Sequence, residues 1–359
     1  MKKRFLAVMM SAVLAVSVLG GCGSKKADSD TAAQTKAADT KEEETSAADT
    51  KEAGDEAASG DTVKVGVIQL AEHPALDQSY QGFVDALKEG GYEEGKNLEL
   101  DFNNAQGDTS NCETIANKLV NNKNDLILAI ATPAAQAVAG KTKDIPILAT
   151  AVTDFAVAGL VDSNEKPGTN VSGSSDLTPV EDQIKLLKEL LPDAKKVGIM
   201  YCSSEDNSII QADLAKKVCE EQGLEYTEYT VSDSSMLQSV AESMIGKVDA
   251  VYIPTDNLLA EGMSTVTMIT NANNLPCIVG EEGMVTNGGL ATYGIDYYEL
   301  GKLAGKQAVE ILKNGADVSE MPIEYISAEN CKLSVNSEAA KELGVSLDAI
   351  MDKAEDVAE

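Results

Sequence analysis

From Val63 onward the chain alternates short, almost wholly apolar runs with amphipathic stretches. The runs are VKVGVIQ, DLILAIA, PILATAV, KVGIMYC, DAVYIP and PCIVG. Strands covered on both faces read this way, as in parallel sheets, because neither face meets water. Helical patterns lie between them. Pro74 opens one that carries Leu76, Tyr80, Phe83, Val84 and Leu87; Thr178 and Pro179 cap and start another, with Ile184, Leu187, Leu190 and Leu191. The alternation predicts an α/β fold with parallel sheets.

The order of these segments is written twice. The run from Lys64 leads to a helix ending KEGG and a strand LELDF; the run from Lys196 leads to a helix ending EEQG and a strand LEYTEYTV. NDLILAIATP corresponds to VDAVYIPTD, and DIPILATAV to NLPCIVGEE. Two similar α/β lobes are therefore expected to follow one another. Open α/β sheets bind ligands beyond the carboxyl ends of their strands, so two facing lobes would make a cleft lined by strand-end loops.

The first 61 residues break the pattern. Lys2, Lys3 and Arg4 precede FLAVMMSAVLAVSVL, an apolar run of about 22 Å as a helix, too short for a hydrocarbon core of about 30 Å. It reads as a signal-peptide core. It ends Leu19-Gly20-Gly21-Cys22, which resembles the lipobox of bacterial lipoproteins. That resemblance implies cleavage before Cys22, leaving residues 1–21 as the signal peptide, and a diacylglycerol thioether (with palmitate as acyl chain) on the cysteine. Gly23 to Asp61 contains no aromatic residue and no Ile, Leu, Val or Met, so it cannot bury a core. Residues 22–61 read as a lipidated cysteine and a disordered leash that holds a folded body to the membrane.

Charge narrows the partners. Of the chain's net −30, the leader carries +3 and the leash −6, so the body from residue 62 carries −27. Such a body repels phosphate backbones, which argues against nucleic acid. Once Cys22 is set aside, five cysteines remain without a C-x-x-C pair, and they read as buried thiols acting as small hydrophobes.

The predicted strand ends carry Gln69-Leu70-Ala71-Glu72-His73-Pro74, Ala131-Thr132-Pro133, Thr153-Asp154-Phe155, then SSEDNS from Ser203, PTDN from Pro254 and GEEG from Gly280. Free N–H groups at helix starts bind anions and Ser or Thr hydroxyls add donors, which suits a carboxylate. Asp256 and Glu281 supply the opposite sign for an ammonium group. An amino acid would use both, although the same residue types also serve simply as helix caps. Catalysis is disfavoured: His73 is the only histidine, no G-x-S-x-G elbow exists, and one histidine without a cysteine pair makes a poor zinc site. Gly140-Lys141-Thr142 imitates the end of a phosphate loop, but Ala135 stands where its earlier glycine is required. No cofactor is expected. With no Trp, and with Phe83 and Phe102 on core-periodic positions, a sugar is disfavoured as ligand.

The runs GVIQLAEHPALD, IATPAAQA, AVTD, NVSG, SSEDNSIIQ, PTDN and GGLATYGIDYYELG together resemble the TrpX-like branch of the ABC-transporter substrate-binding proteins over nearly all of residues 62 to 345. The resemblance implies a type I periplasmic-binding-protein fold with three hinge strands. Crossovers are then expected near Ser172–Ser174, Ala291–Gly294 and Ser319–Ile323. These divide the body into an N-terminal lobe (62–173 and 293–319) and a C-terminal lobe (174–292 and 320–359), with the helix Leu300–Leu312 returning to the first. The resemblance also implies an aromatic amino acid (Trp, Phe or Tyr) as ligand, an ABC permease and ATPase as partners, and an extracytoplasmic, membrane-anchored monomer. Residue by residue it implies polar and carboxylate contacts from Thr132, Ser203, Ser204 and Asn207, and an ammonium partner in Asp256, with Asp296 at a hinge. Leu70, His73 and Ala75 would line the side-chain pocket, with Thr153, Asp154, Thr255 and Glu281 at neighbouring strand ends. Phe155 brings a bulky ring to that pocket. A ligand-sensing lipoprotein, or a receptor for a nucleoside or sugar, would use the same clamp.

Overall fold

The computed structural model describes residues 62–358; the leader, Cys22 and the leash lie outside the described residues. The first half runs β1 (Val63–Gln69), α1 (Pro74–Glu89), β2 (Leu98–Asn104), α2 (Thr109–Asn121), β3 (Leu126–Ile130), α3 (Thr132–Ala139), β4 (Ile147–Val152) and β5 (Val171–Ser175). The second half runs α4 (Val180–Leu190), β6 (Lys196–Cys202), α5 (Asp206–Glu221), β7 (Glu225–Val231), α6 (Leu237–Met244), β8 (Ala250–Ile253), α7 (Asn257–Ala272), β9 (Cys277–Val279), α8 (Glu282–Thr286) and β10 (Ala291–Gly294). The chain then returns through α9 (Tyr297–Asn314) and β11 (Glu324–Tyr325), and crosses again to β12 (Lys332–Val335), α10 (Ser337–Leu343) and β13 (Ala354–Asp356).

Two sheets result. One has the order β11-β5-β4-β3-β1-β2 and the other β13-β12-β10-β9-β8-β6-β7. The series β4-β3-β1-β2 and β9-β8-β6-β7 are the same topology, so the repeated segment order is a repeated fold. All pairings are parallel except β10 with β12. The central strands are buried along their whole length, as their unbroken apolar runs require. Each sheet has its own core: Val67, Leu128, Leu148 and Phe83 in the first lobe, Ile199, Tyr252, Ile278 and Leu187 in the second.

Three crossings join the lobes, and the sheets set their limits. Gly173 to Ser175 still pair with β4, so the first crossing follows Ser175 rather than Gly173. All of β10 belongs to the second sheet, and α9 begins just beyond it. Glu324 and Tyr325 pair with β5, so the last crossing comes after Tyr325 and not at Ser319–Ile323. The signal there was too short to read, because β11 spans two residues.

Two aromatic rings lie elsewhere than their sequence positions suggest. Phe102 is 43% exposed on the edge strand β2 and packs on Tyr80, with ring centroids 4.7 Å apart. Phe155 is fully buried in the first lobe's core, so it forms part of that core instead of bringing bulk to a ligand pocket. Cys112, Cys202, Cys219 and Cys277 are buried and Cys331 half-buried, all unpaired, as a reading of small hydrophobes expects.

Close backbone approach fixes two glycines. In β5, Gly173 sits at φ +147°, and a Cβ there would stand 1.8 Å from the Ala149 carbonyl oxygen. In α9, a Cβ on Gly301 would stand 1.9 Å from the Ser79 carbonyl oxygen of α1. The returning helix therefore lies against α1 with backbone nearly touching backbone. Gly301→Ala is expected to push the helices apart at a cost of about 2 kcal/mol, the usual penalty of overpacking. Thermal unfolding checks this: the melting temperature should fall by several degrees, and a fall of less than about one degree would show that the contact yields freely.

Candidate functional site

The carboxyl ends of both sheets face a shared cleft, and the loops and helix starts there carry many of the buried polar side chains. In the first lobe, Ala131 holds φ 83°, an unusual conformation for a residue with a Cβ. That turn starts α3 at Thr132-Pro133, leaving the buried Thr132 Oγ1 with no partner. His73 occupies the N-cap of α1, yet its ring makes no bond to its own helix. Its Nε2 instead lies 3.3 Å from Asn257 Oδ1, across the cleft at the start of α7. Asn257 Nδ2 donates to Glu205 Oε2 at 2.6 Å, so the amide oxygen faces the imidazole as an acceptor. Nε2 must then carry the proton, and Nδ1 is left as a bare acceptor, buried and unpartnered. Burial drops the imidazole pKa to about 4 against the opposing influence of Asn257 and Asp77, so the ring is neutral.

The inner end of the cleft is built round Asp176, directly after β5 at the first crossing. Its carboxylate accepts from Thr153 Oγ1 at 3.1 Å and from the Tyr297 hydroxyl at 3.1 Å. Burial drives its pKa up to about 6, although those two hydroxyls oppose the rise. Thr153 Oγ1 accepts in turn from Gln211 Nε2 (3.3 Å), which also donates to the Thr255 carbonyl (3.1 Å). Asn207 Nδ2 lies 3.4 Å from that carbonyl and 3.2 Å from Glu205 Oε2. One polar chain thus crosses the cleft: Asp176, Thr153, Gln211, Thr255, Asn207, Glu205, Asn257, His73. It starts and ends in the first lobe and passes through the second. Gln136 adds a separate bridge, donating to Asp206 at 2.8 Å.

The acidic residues singled out from sequence occupy different settings. Asp256 is buried as the N-cap of α7: Oδ1 accepts from Leu259 N (2.9 Å) and Oδ2 from Cys202 N (2.6 Å). Both oxygens are committed inside the second lobe, and burial with nearby Glu205 raises its pKa. Glu281 caps α8, accepting from Gly283 N (2.5 Å) and Met284 N (2.9 Å), and burial lifts it to about 7. It lines a small cavity of about 50 Å³ with Ala75, Asp296 and Tyr297. Asp296 caps α9 through Glu299 N (3.1 Å) and pairs with Lys332 at 3.3 Å. Asp154 closes a surface turn, accepting from Ala156 N (3.0 Å) and Val157 N (3.1 Å).

Ser203 and Ser204 are exposed. The Ser203 hydroxyl donates to the Val231 carbonyl at 3.3 Å, and Ser204 Oγ lies 3.1 Å from Cys202 Sγ. Ser204 and Leu70 line a vestibule of about 690 Å³ at the cleft mouth. His73, Thr153, Asn207 and Thr255 are therefore united in the polar chain, while Asp256, Asp154 and the two serines lie outside it. Sequence reasoning missed Gln69, Asp176, Glu205, Gln211, Asn257 and Tyr297. The available signal for Asp176 was an acid ending a strand of small residues, VSGSSD; Glu205, Gln211 and Asn257 stood inside the quoted runs SSEDNSIIQ and PTDN. Among the described residues no group of His, Cys, Asp and Glu has the arrangement of a metal site.

Known proteins share this architecture. A tyrosine-binding protein of Clostridioides difficile (strain R20291) is 40% identical over 341 residues, covering 95% of this chain and 92% of that one. An ABC domain from Streptococcus pneumonia, solved in complex with L-Trp, superposes with a TM-score of 0.79 at 38% identity, over 82% of this chain and 99% of that one. A substrate binding protein with adhesive properties from Clostridium difficile, solved in a ligand-free, open form, is 43% identical over the same shares but reaches a TM-score of only 0.63. The less similar of these two sequences gives the better superposition. The fold is that of the type I periplasmic binding proteins. The pattern of the ABC transporter substrate binding protein family matches residues 64–358, essentially the whole folded body, and the chain belongs to that family.

Proposed function

We propose that this protein captures an amino acid with an aromatic side chain between its lobes and presents the closed clamp to an ABC permease. Family membership makes it a binding component of a transporter acting outside the cytoplasm. The observation that carries the finer reading is Asp176. A buried carboxylate with no cation beside it is costly, and a ligand ammonium would offset that cost. Asp256 has both oxygens occupied by backbone N–H groups, so Asp176 is the better ammonium partner, with Glu281 next to it in the field. The starts of α3 and α5, with Thr132 and Asn207, suit the ligand carboxylate. The ligands named for two relatives of about 40% identity, tyrosine and L-Trp, agree in class.

Closure follows from differential contact. The bridges His73–Asn257, Gln211–Thr153 and Gln136–Asp206 join groups on opposite lobes, so they form only as the cleft shuts. A ligand that touches both lobes favours the shut state by the contacts it cannot make in the open one. The lipobox supports anchoring through Cys22, with the leash keeping a monomeric receptor close to its permease and raising their effective concentration.

A thermal-shift screen of the twenty amino acids, nucleosides and simple sugars tests the ligand class, because a tight ligand raises the melting temperature in proportion to RT ln(1 + [L]/Kd). Stabilisation by a sugar or nucleoside alone would overturn the amino-acid reading. Asp176→Asn should weaken amino-acid binding roughly ten- to a hundredfold, the range for losing a charge-assisted hydrogen bond. Calorimetry measures this, and unchanged affinity would remove Asp176 from the ammonium site.

Acid should stabilise the ligand-free protein. Asp176, Glu281 and Asp256 titrate higher in the folded state than in the unfolded chain, where carboxyls sit near 3.8 to 4.5. The folded state therefore holds more protons between about pH 4 and 7, and stability drains away as pH climbs through that window. His73 pulls the other way, since its pKa falls from 6.5 to about 4 on folding. Three carboxyls outweigh one imidazole, so the melting temperature should fall from pH 5 to pH 8, with a shallower fall in Asp176→Asn. A melting temperature that rises over that interval would contradict the burial of these charges. For the anchor, Cys22→Ser should shift the protein from the membrane fraction to the soluble one on cell fractionation; retention on the membrane would count against lipidation.

A further inference from the structure

We infer that His73 Nδ1 is a specificity reader: it accepts a hydrogen bond from a donor on the ligand's ring, selecting an aromatic amino acid with a phenol O–H or indole N–H over phenylalanine. This rests on the amino-acid reading above and goes beyond it, since either kind of ring would satisfy a clamp that merely buries apolar surface.

Three observations carry it. First, the proton position is fixed from the far side: Asn257 gives its amide nitrogen to Glu205 and its oxygen to His73 Nε2, which leaves Nδ1 with a lone pair and no hydrogen. Second, Nδ1 is fully buried without a partner on a residue only 6% exposed. The neighbouring Gln69 repeats the arrangement: Nε2 donates to Ala71 O and Asp77 Oδ1, both at 2.7 Å, and Oε1 is left buried and unpartnered. These two buried acceptors flank Leu70 and Ala71, which line the vestibule, and each has its donor engaged elsewhere, so a donor from the ligand would satisfy them. Third, the span fits. Asp176 follows β5 and His73 follows β1, three strands along the sheet, a separation of about 14 Å at the usual strand spacing. An extended tyrosine comes close to spanning it with a hydrogen bond of about 2.8 Å at each end; an indole N–H reaches less far, and a short aliphatic side chain offers no donor there at all. The depressed basicity of the buried imidazole keeps it an acceptor at neutral pH.

Calorimetry of the unaltered protein with L-tyrosine, L-tryptophan, L-phenylalanine and 4-fluoro-L-phenylalanine tests this. Tyrosine or tryptophan should bind at least about tenfold more tightly than phenylalanine, as expected when a buried acceptor is left unpaired, and the fluoro analogue should behave like phenylalanine. In His73→Leu the preference should shrink to within about threefold. The chain has one histidine, so its imidazole ¹⁵N spectrum is unambiguous and does not depend on the variant's folding. The Nδ1 resonance should move toward hydrogen-bonded values with the preferred ligand and stay in place with phenylalanine. Equal affinity for all four ligands, a preference that survives His73→Leu, or an Nδ1 resonance that ignores the preferred ligand would each overturn the assignment while leaving amino-acid capture intact. Absence of binding by all four would overturn the capture reading itself.

Discussion

The structure turns on a negative charge held out of water where the two lobes meet. Asp176 sits at the crossing from the first sheet to the second, and two hydroxyls are all that its side chain receives from its neighbours. Glu281 lies in its field, and Asp256 and Glu205 are buried as well, with no lysine or arginine among the hydrogen-bond partners of the three. Backbone N–H groups at helix starts satisfy the last three, which is how a fold keeps acids inside without cations. Asp176 lacks that support. The same crossing thus joins the lobes mechanically and holds the most needful charge in the cleft.

Placement of the polar residues follows from the parallel sheets. Every strand in such a sheet delivers its following loop to the same edge, so two sheets facing edge to edge concentrate loops and helix starts in one crevice. The apolar runs that bury the strands and the polar tips that line the crevice are therefore two products of one topology. Thr153, Gln211, Thr255, Asn207 and Asn257 come from three different strand ends or the helices that follow them, yet with Glu205 they form one continuous chain.

Much of this was legible in the sequence. The strands β1 and β6 begin and end where their apolar runs do, and the doubled order of segments foretold two sheets of equal topology. The hinge was less legible: β11 pairs over only two residues, a length that leaves no periodic signal. At the site, hydroxyl-rich helix starts located the crevice but could not say which acids face it. Asp256 and Asp176 look alike in sequence, each a lone Asp after a small or hydroxyl residue; what separates them is whether nearby N–H groups point at the carboxylate, a matter of tertiary approach. Phe102 shows the same limit, because an apolar residue in an alternating pattern carries no mark of being on an edge strand.

The return of α9 to the first lobe has a consequence for the order of assembly. This helix is made after the whole of the second repeat, yet it covers α1 so closely that Gly301 has room for no side chain. Until it emerges, the first lobe has an open flank at Ser79, Gly82 and Ala86, and β5 lacks the neighbour that β11 provides. The second sheet waits likewise for β12 and then β13, the last strands of the chain. Neither half can close its core as a nascent fragment, so the lobes must mature together from a nearly complete chain, with long-range pairing setting the pace.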